Sequence, residues 1–168
     1  QKRCTKNGKV FEILKFRSMI VDAEKGGETI PCRTGDPRIT HVGRVIRKLR
    51  IDEFPQIINV LKGDMSIVGP RPERVEHVEA YTKEIPEFSY RLRVKGGLTG
   101  YAQIYGKYNT SPYDKLRLDL QYIEKQALLM DLKLILLTVK IMFVPESTEG
   151  FTQKRSEQIA EEAKTKEQ

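Results

Sequence analysis

Cysteine and histidine are scarce in this chain, two of each in 168 residues. Cys4 and Cys32 form no CxxC pair and have no histidine at ligand spacing. That argues against a zinc site or a disulfide framework and for a reducing, cytosolic setting. No apolar run reaches the roughly 20 residues that a membrane-spanning helix needs. No signal peptide, internal repeat, regular βαβ alternation or glycine-rich dinucleotide loop appears, which sets aside the doubly wound nucleotide-binding folds. The chain opens at Gln1 rather than methionine, inside what reads as the approach to a strand. It is expected to be a piece of a protein whose upstream part is missing.

What is present is charge. Charged residues make up 32% and hydrophobic ones 39%, with a formal net charge of +7. Such a chain suits one domain with a real core and an anionic partner: nucleic acid, an anionic membrane surface or a phosphorylated substrate. Residues 1–150 are expected to form that domain and 151–168 a polar tail, either a solvated helix or disordered.

The local patterns predict a mainly helical α+β domain with a small β-hairpin or sheet and a surface-lying amphipathic helix. Lys9 to Arg17, after the turn signal Asn7-Gly8, reads as a strand, and Ala23 to Arg38 as a mobile loop. Val42, Val45, Ile46 and Leu49 line one side of a helix from Thr40, with Arg44, Arg47 and Lys48 on the other. A second helix is expected to begin at Asp52, with Phe54, Ile57, Ile58 and Leu61 as its apolar stripe and Gly63 as its stop. Pro72 is expected to open a helix over Glu73 to Lys83, and Pro86 another. Leu98 to Tyr105 reads as a turn and a short strand. Ser111-Pro112 opens a helix whose apolar face is Leu116, Leu120, Ile123 and Ala127. Leu128 to Val144 is the most apolar stretch, broken by Asp131, Lys133 and Lys140. The residues alone favour a core helix over an interfacial helix with lysines reaching lipid headgroups, and the two are compatible in part.

The adjacent carboxylates Asp52 and Glu53 are the strongest chemical feature. A helix cap explains Asp52 alone as well as catalysis does. An ionised carboxylate there can bind Mg²⁺ or attack phosphorus, and Glu53 can share the metal or handle a proton. Attack of one anion on another requires cations nearby, and Lys15, Arg17, Arg47 and Arg71 are the candidates. Arg71 stands out because Pro70 and Pro72 fix its backbone for bidentate phosphate recognition. Asp64 reads as structural, and His41 and His77 as surface residues. Tyr101, Tyr105 and Tyr108 suit either a base-stacking platform or the core.

Three ordered segments resemble one family: KFRSM (Lys15 to Met19), IDEFPQIINVLKGDMSIVGPRPE (Ile51 to Glu73) and GLTGYAQIYGK (Gly97 to Lys107). Together they are similar to the bacterial sugar transferases, monotopic polyprenol-phosphate hexose-1-phosphate transferases that prime capsule, exopolysaccharide and glycoprotein glycans. The resemblance implies transfer of a sugar-1-phosphate from a UDP-sugar to undecaprenyl phosphate, with Mg²⁺ as cofactor, on the cytoplasmic face of the plasma membrane. It implies Asp52 as the nucleophile that forms a phosphosugar-aspartyl intermediate, and Asp52 with Glu53 at the metal. It implies that Arg47 and Arg71 hold phosphates and places Lys15 and Arg17 in the basic strand motif, which makes all four candidate phosphate-binding residues. Leu128 to Val144 matches a helix lying along the membrane surface. Two positions depart from the family pattern: Gly96 where proline is frequent, and Lys107 where arginine is. The competing readings are a basic nucleic-acid-binding module, for which no RNP, KH, zinc-finger or helix-turn-helix signature appears, and an inactive membrane-associated scaffold.

Overall fold

The computed structural model describes residues 1–23, 35–106 and 110–142. Most of the expected loop at 23–38, the tail from Thr152, and Cys32, Lys107 and Tyr108 lie outside the described residues. The architecture is mainly helical α+β with two small two-stranded sheets. Among the described residues two compact units form, 1–16 with 53–106 and 110–142, and 17–23 with 35–52.

In the larger unit, β1 (Lys2–Cys4) and β2 (Val10–Glu12) form an antiparallel hairpin. Asn7 at φ 59° and Gly8 at φ 73° turn the chain between them, the left-handed pair that Asn-Gly supplies at low cost. The expected strand from Lys9 to Arg17 is thus only three residues long. Asn59 takes over where the ladder stops: its Oδ1 accepts from the Leu14 N–H (3.0 Å) and its Nδ2 donates to the Glu12 carbonyl (2.9 Å).

Asn59 belongs to α2 (Gln56–Leu61), which begins four residues after Asp52. Asp52 therefore does not cap α2. It lies in a 3₁₀ turn over Ile51–Glu53. Pro55 is the N-cap residue, and proline disfavours helical geometry in the residue before it, Phe54, which delays the α-helix. The helix ends at Gly63, φ 80°, as expected. Its faces are reversed from the ordinary arrangement of a core helix. Gln56 and Asn59 are buried at 1% and 2%, whereas Phe54, Ile57, Ile58 and Leu61 are exposed, Leu61 at 82%.

The parallel pair β3 (Ser66–Val68) and β4 (Gly97–Thr99) brings the Gly69–Pro72 turn beside Lys95–Gly100. Gly97 and Gly100 are required there, because a Cβ on either would strike the backbone of Gly69. After the turn come α3 (Val75–Glu84), starting three residues beyond Pro72, and a 3₁₀ segment over Pro86–Arg93. Tyr101–Tyr105, expected to be extended, is the short helix α4. Tyr101 and Tyr105 are one turn apart and their rings meet at 4.4 Å between centroids, a contact a strand would not allow. The Ser111 hydroxyl oxygen caps α5 (Pro112–Glu124), accepting from the Asp114 N–H at 3.1 Å, as the Ser-Pro opening predicts.

The longest described helix is α6 (Leu128–Met142). No described helix is long and apolar enough to cross a membrane. Leu134 enters a core cluster with Val68 and Tyr122, and Thr138 Oγ1 meets Thr99 Oγ1 at 2.6 Å. Leu129, Leu132, Leu136 and Val139 form an exposed stripe flanked by exposed Lys133 and Lys140. A second cluster joins Cys4, Val78, Phe88 and Leu116, and a third joins Phe11, Ile13 and Met65.

In the smaller unit, α1 (His41–Lys48) is capped by Thr40, whose Oγ1 accepts from the Gly43 N–H at 2.9 Å. Gly43 is the buried residue, pressed against the Ser18 carbonyl so closely that no Cβ fits. Val42, Val45 and Leu49 are exposed.

Candidate active site

Glu53 is the hub of the larger unit's polar cluster. Its Oε1 accepts from Lys15 Nζ at 2.8 Å and from Arg71 Nη2 at 2.5 Å, and Oε2 meets Arg71 Nη1 at 3.5 Å. Three remote segments thus converge: the end of the hairpin, the 3₁₀ turn and the Gly-Pro-Arg-Pro turn. Burial alone would raise the Glu53 carboxyl. The charges and hydrogen bonds of Arg71 and Lys15 outweigh it and hold the group well below the usual carboxylate range. Both cations keep part of their surface in water, 27% for Lys15 and 39% for Arg71.

The turn that carries Arg71 is pinned through four consecutive carbonyls. Pro70 accepts from the Gly97 N–H (2.9 Å) and Arg71 from Arg91 Nη2 (2.9 Å). Pro72 accepts from Arg3 Nη1 (3.3 Å) and Glu73 from the Cys4 N–H (3.0 Å). Two prolines remove donors and fix φ, so the acceptors are what remain for the structure to grip. The guanidinium is presented from a backbone with little freedom.

Arg91 is itself held. Its Nη2 lies 2.8 Å and its Nε 3.1 Å from Asp119 Oδ2, and both side chains are buried. Its guanidinium also lies over the Phe88 ring, 4.8 Å from the centroid. Burial pushes the Asp119 carboxyl up to about 6 despite this partner. Arg3, Arg91, Asn59 and Asp119 escape the sequence reading. Asp119 alone left a signal: it lies on the core face of α5, three residues after Leu116 and four before Ile123.

The remaining candidates lie in the other unit, and the boundary falls between Asp52 and Glu53. Arg47 Nη1 reaches Ser18 Oγ at 3.4 Å, Arg17 is exposed and Asp52 is half-buried. Among the described residues no group of three or more His, Cys, Asp or Glu side chains gathers as a metal site. Asp64 pairs with Lys9 at 3.2 Å and His77 is half-exposed near Glu73.

The whole pattern matches a family model described as bacterial sugar transferase over residues 1–145. The chain belongs to this family. Curated relatives of the chain include a UDP-N-acetylgalactosamine-undecaprenyl-phosphate N-acetylgalactosaminephosphotransferase of Aeromonas hydrophila. It is 43% identical, over 83% of the chain and 34% of that protein. A galactosyl transferase of Streptococcus agalactiae is 44% identical, over 86% and 34%. A UDP-glucose:undecaprenyl-phosphate glucose-1-phosphate transferase of Caulobacter vibrioides is 41% identical, over 83% and 54%. The chain spans about a third of the first two relatives and about half of the third. Three different sugars appear in these names at nearly equal identity, so overall similarity does not select the sugar.

Proposed function

We propose that this chain carries the catalytic machinery of a phosphoglycosyl transferase that moves a sugar-1-phosphate from a UDP-sugar to undecaprenyl phosphate. The observation that supports it most is the convergence of Lys15 and Arg71 on an ionised Glu53, the chain neighbour of Asp52. In this reading a carboxylate oxygen of Asp52 attacks the phosphorus that bears the sugar. The phosphoanhydride bond breaks, UMP leaves with its electron pair, and a phosphosugar-aspartyl ester forms. An oxygen of undecaprenyl phosphate then attacks the same phosphorus, breaking the aspartyl ester and restoring the Asp52 carboxylate. Glu53 orients Lys15 and Arg71, whose charges offset the repulsion between anions. Arg17 and Arg47 enter as phosphate-binding residues from the family motifs.

Mg²⁺ fits the donor set, since it takes one or two carboxylates with phosphate oxygens and water completing its shell, and Glu53 is held ionised. Asp52 and Glu53 would hold it, and it would supply charge neutralisation at the diphosphate.

The reversed face of α2 and the leucine stripe of α6 support a membrane surface as partner, on the cytoplasmic leaflet where undecaprenyl phosphate meets UDP-sugars. Exposed apolar stripes bordered by lysines suit the headgroup boundary. Incubating the intact protein with UDP-sugars, Mg²⁺ and undecaprenyl phosphate tests the chemistry through UMP release. Asp52→Ala is expected to lower the rate on the order of 10⁴- to 10⁶-fold, the scale seen when a nucleophile or its partner is removed. An unchanged rate would sink the assignment.

A further inference from the structure

Arg3 is a cation without an acid. It sits on β1, pairs as an isolated antiparallel bridge with Arg74, and donates from Nη1 to Pro72 and from Nη2 to the Gln1 side-chain oxygen (3.0 Å). Neither acceptor is charged, and no salt bridge to Arg3 exists among the described residues. Its Nε is buried with no hydrogen-bond partner. A guanidinium is normally buried only against a carboxylate, a phosphate or a full set of acceptors.

Its neighbours make the omission sharper. Arg71 precedes the Pro72 carbonyl that Arg3 grips, and Arg74 lies directly across the bridge. Burial lowers the pKa of Arg3, the charges of Arg71 and Arg74 lower it further, and Glu73 and Glu53 oppose the change. Glu53 is already shared by Lys15 and Arg71, and Glu73 stands 3.8 Å from both Arg91 and His77. Helix α3 opens at Arg74 with no side-chain cap, so its first N–H groups add to the positive field.

We propose that Arg3, with Arg71 and Arg74, forms a phosphate subsite in which the Arg3 Nε–H finds its missing acceptor on a phosphate oxygen. The chemistry recognised is a phosphomonoester or diphosphate anion, whose several oxygens can serve three guanidinium groups at once. The source of that phosphate rests on the reading above: the diphosphate of the UDP-sugar or the head of the polyprenyl phosphate. The subsite itself does not depend on it.

The test uses the intact protein with Arg3→Gln and Arg3→Lys, the second keeping charge and stem but losing the fork. Pyrophosphate affinity is measured by thermal shift, which needs no turnover. Arg3→Gln is expected to weaken it by about tenfold or more, the effect of one hydrogen bond to a charged group, and Arg3→Lys by less. Two kinetic arms then locate the source. A rise in the KM for UDP-sugar during UMP exchange without acceptor assigns the donor diphosphate. A rise confined to the KM for undecaprenyl phosphate assigns the acceptor head.

Pyrophosphate affinity and both KM values within twofold of wild type in folded Arg3→Gln would overturn the proposal. Should that variant not fold, unchanged values in Arg3→Lys overturn it equally. Wild type that transfers no sugar phosphate, yet loses pyrophosphate binding on Arg3→Gln, would refute the proposed function and leave the subsite standing. Intact transfer with an indifferent Arg3 would do the reverse.

Discussion

Two ion pairs in the larger unit use the same chemistry to opposite ends. At Glu53, two partly hydrated cations share one carboxylate and hold it well below the ordinary range. Some 20 residues downstream of Arg71 along the chain, Arg91 meets Asp119 with 4% and 2% of their side chains exposed, and there burial dominates and lifts the acid to about 6. Partner number and water access, not partner type, decide the sign. The first arrangement leaves its cations partly open to solvent. The second is a fixture, and its Nη2 donates onward to the Arg71 carbonyl. One pair offers the cation and the other holds its backbone still.

Breaking the buried pair is expected to give the largest effect. Asp119→Ala leaves Arg91 buried without its acid and should lower stability by about 3–5 kcal/mol near neutral pH, read from urea unfolding. The pH dependence comes next and separates the two acids. Asp119 binds its proton more tightly in the folded state, above its ordinary 3.8. Its contribution is therefore full below about pH 3.8 and is lost as pH rises through about 6. Glu53 runs the other way: its contribution is full above 4.5 and is lost as pH falls towards its depressed value. Unfolding midpoints of Asp119→Asn across pH 4–7 should lack the decline that wild type shows, and a retained decline would assign it elsewhere.

Glu53→Gln should lower stability by less than Asp119→Ala does, because its partners reach water. UMP release should nevertheless fall by about tenfold or more, the weight of one charge-assisted interaction. A large stability loss with normal turnover would reverse the comparison between the pairs. The smallest effect is expected at Lys9→Ala, which breaks the exposed pair with Asp64: about 0.5 kcal/mol or less by thermal unfolding, with turnover unchanged.

Local chemistry was legible in the sequence and burial was not. Asn7-Gly8, Thr40, Gly63 and Ser111 act within a few residues of themselves, and each turns or caps the chain where its type predicts. The stripe Phe54, Ile57, Ile58 and Leu61 has the right period, but periodicity says which residues share a face and not which face is covered. Tyr101–Tyr105 has strand-like composition, and its packing against α5 and α6 decides for a helix. At the candidate site, Glu53 stood out in the adjacent acid pair and Lys15 and Arg71 as cations that anion chemistry needs, and the structure joins them across 38 and 18 residues of chain. Arg91 and Asp119 lie 28 residues apart in segments with no shared pattern. No local rule pairs them.

Asn59 gives the molecule a built-in reporter. The Leu14 amide, just past the end of β2, is bonded to a side chain of α2 and not to another strand. Its exchange with deuterated solvent therefore follows the undocking of α2 rather than the opening of the hairpin. A single amide signal can thus record whether the helix with the outward apolar face stays seated when lipid vesicles are added.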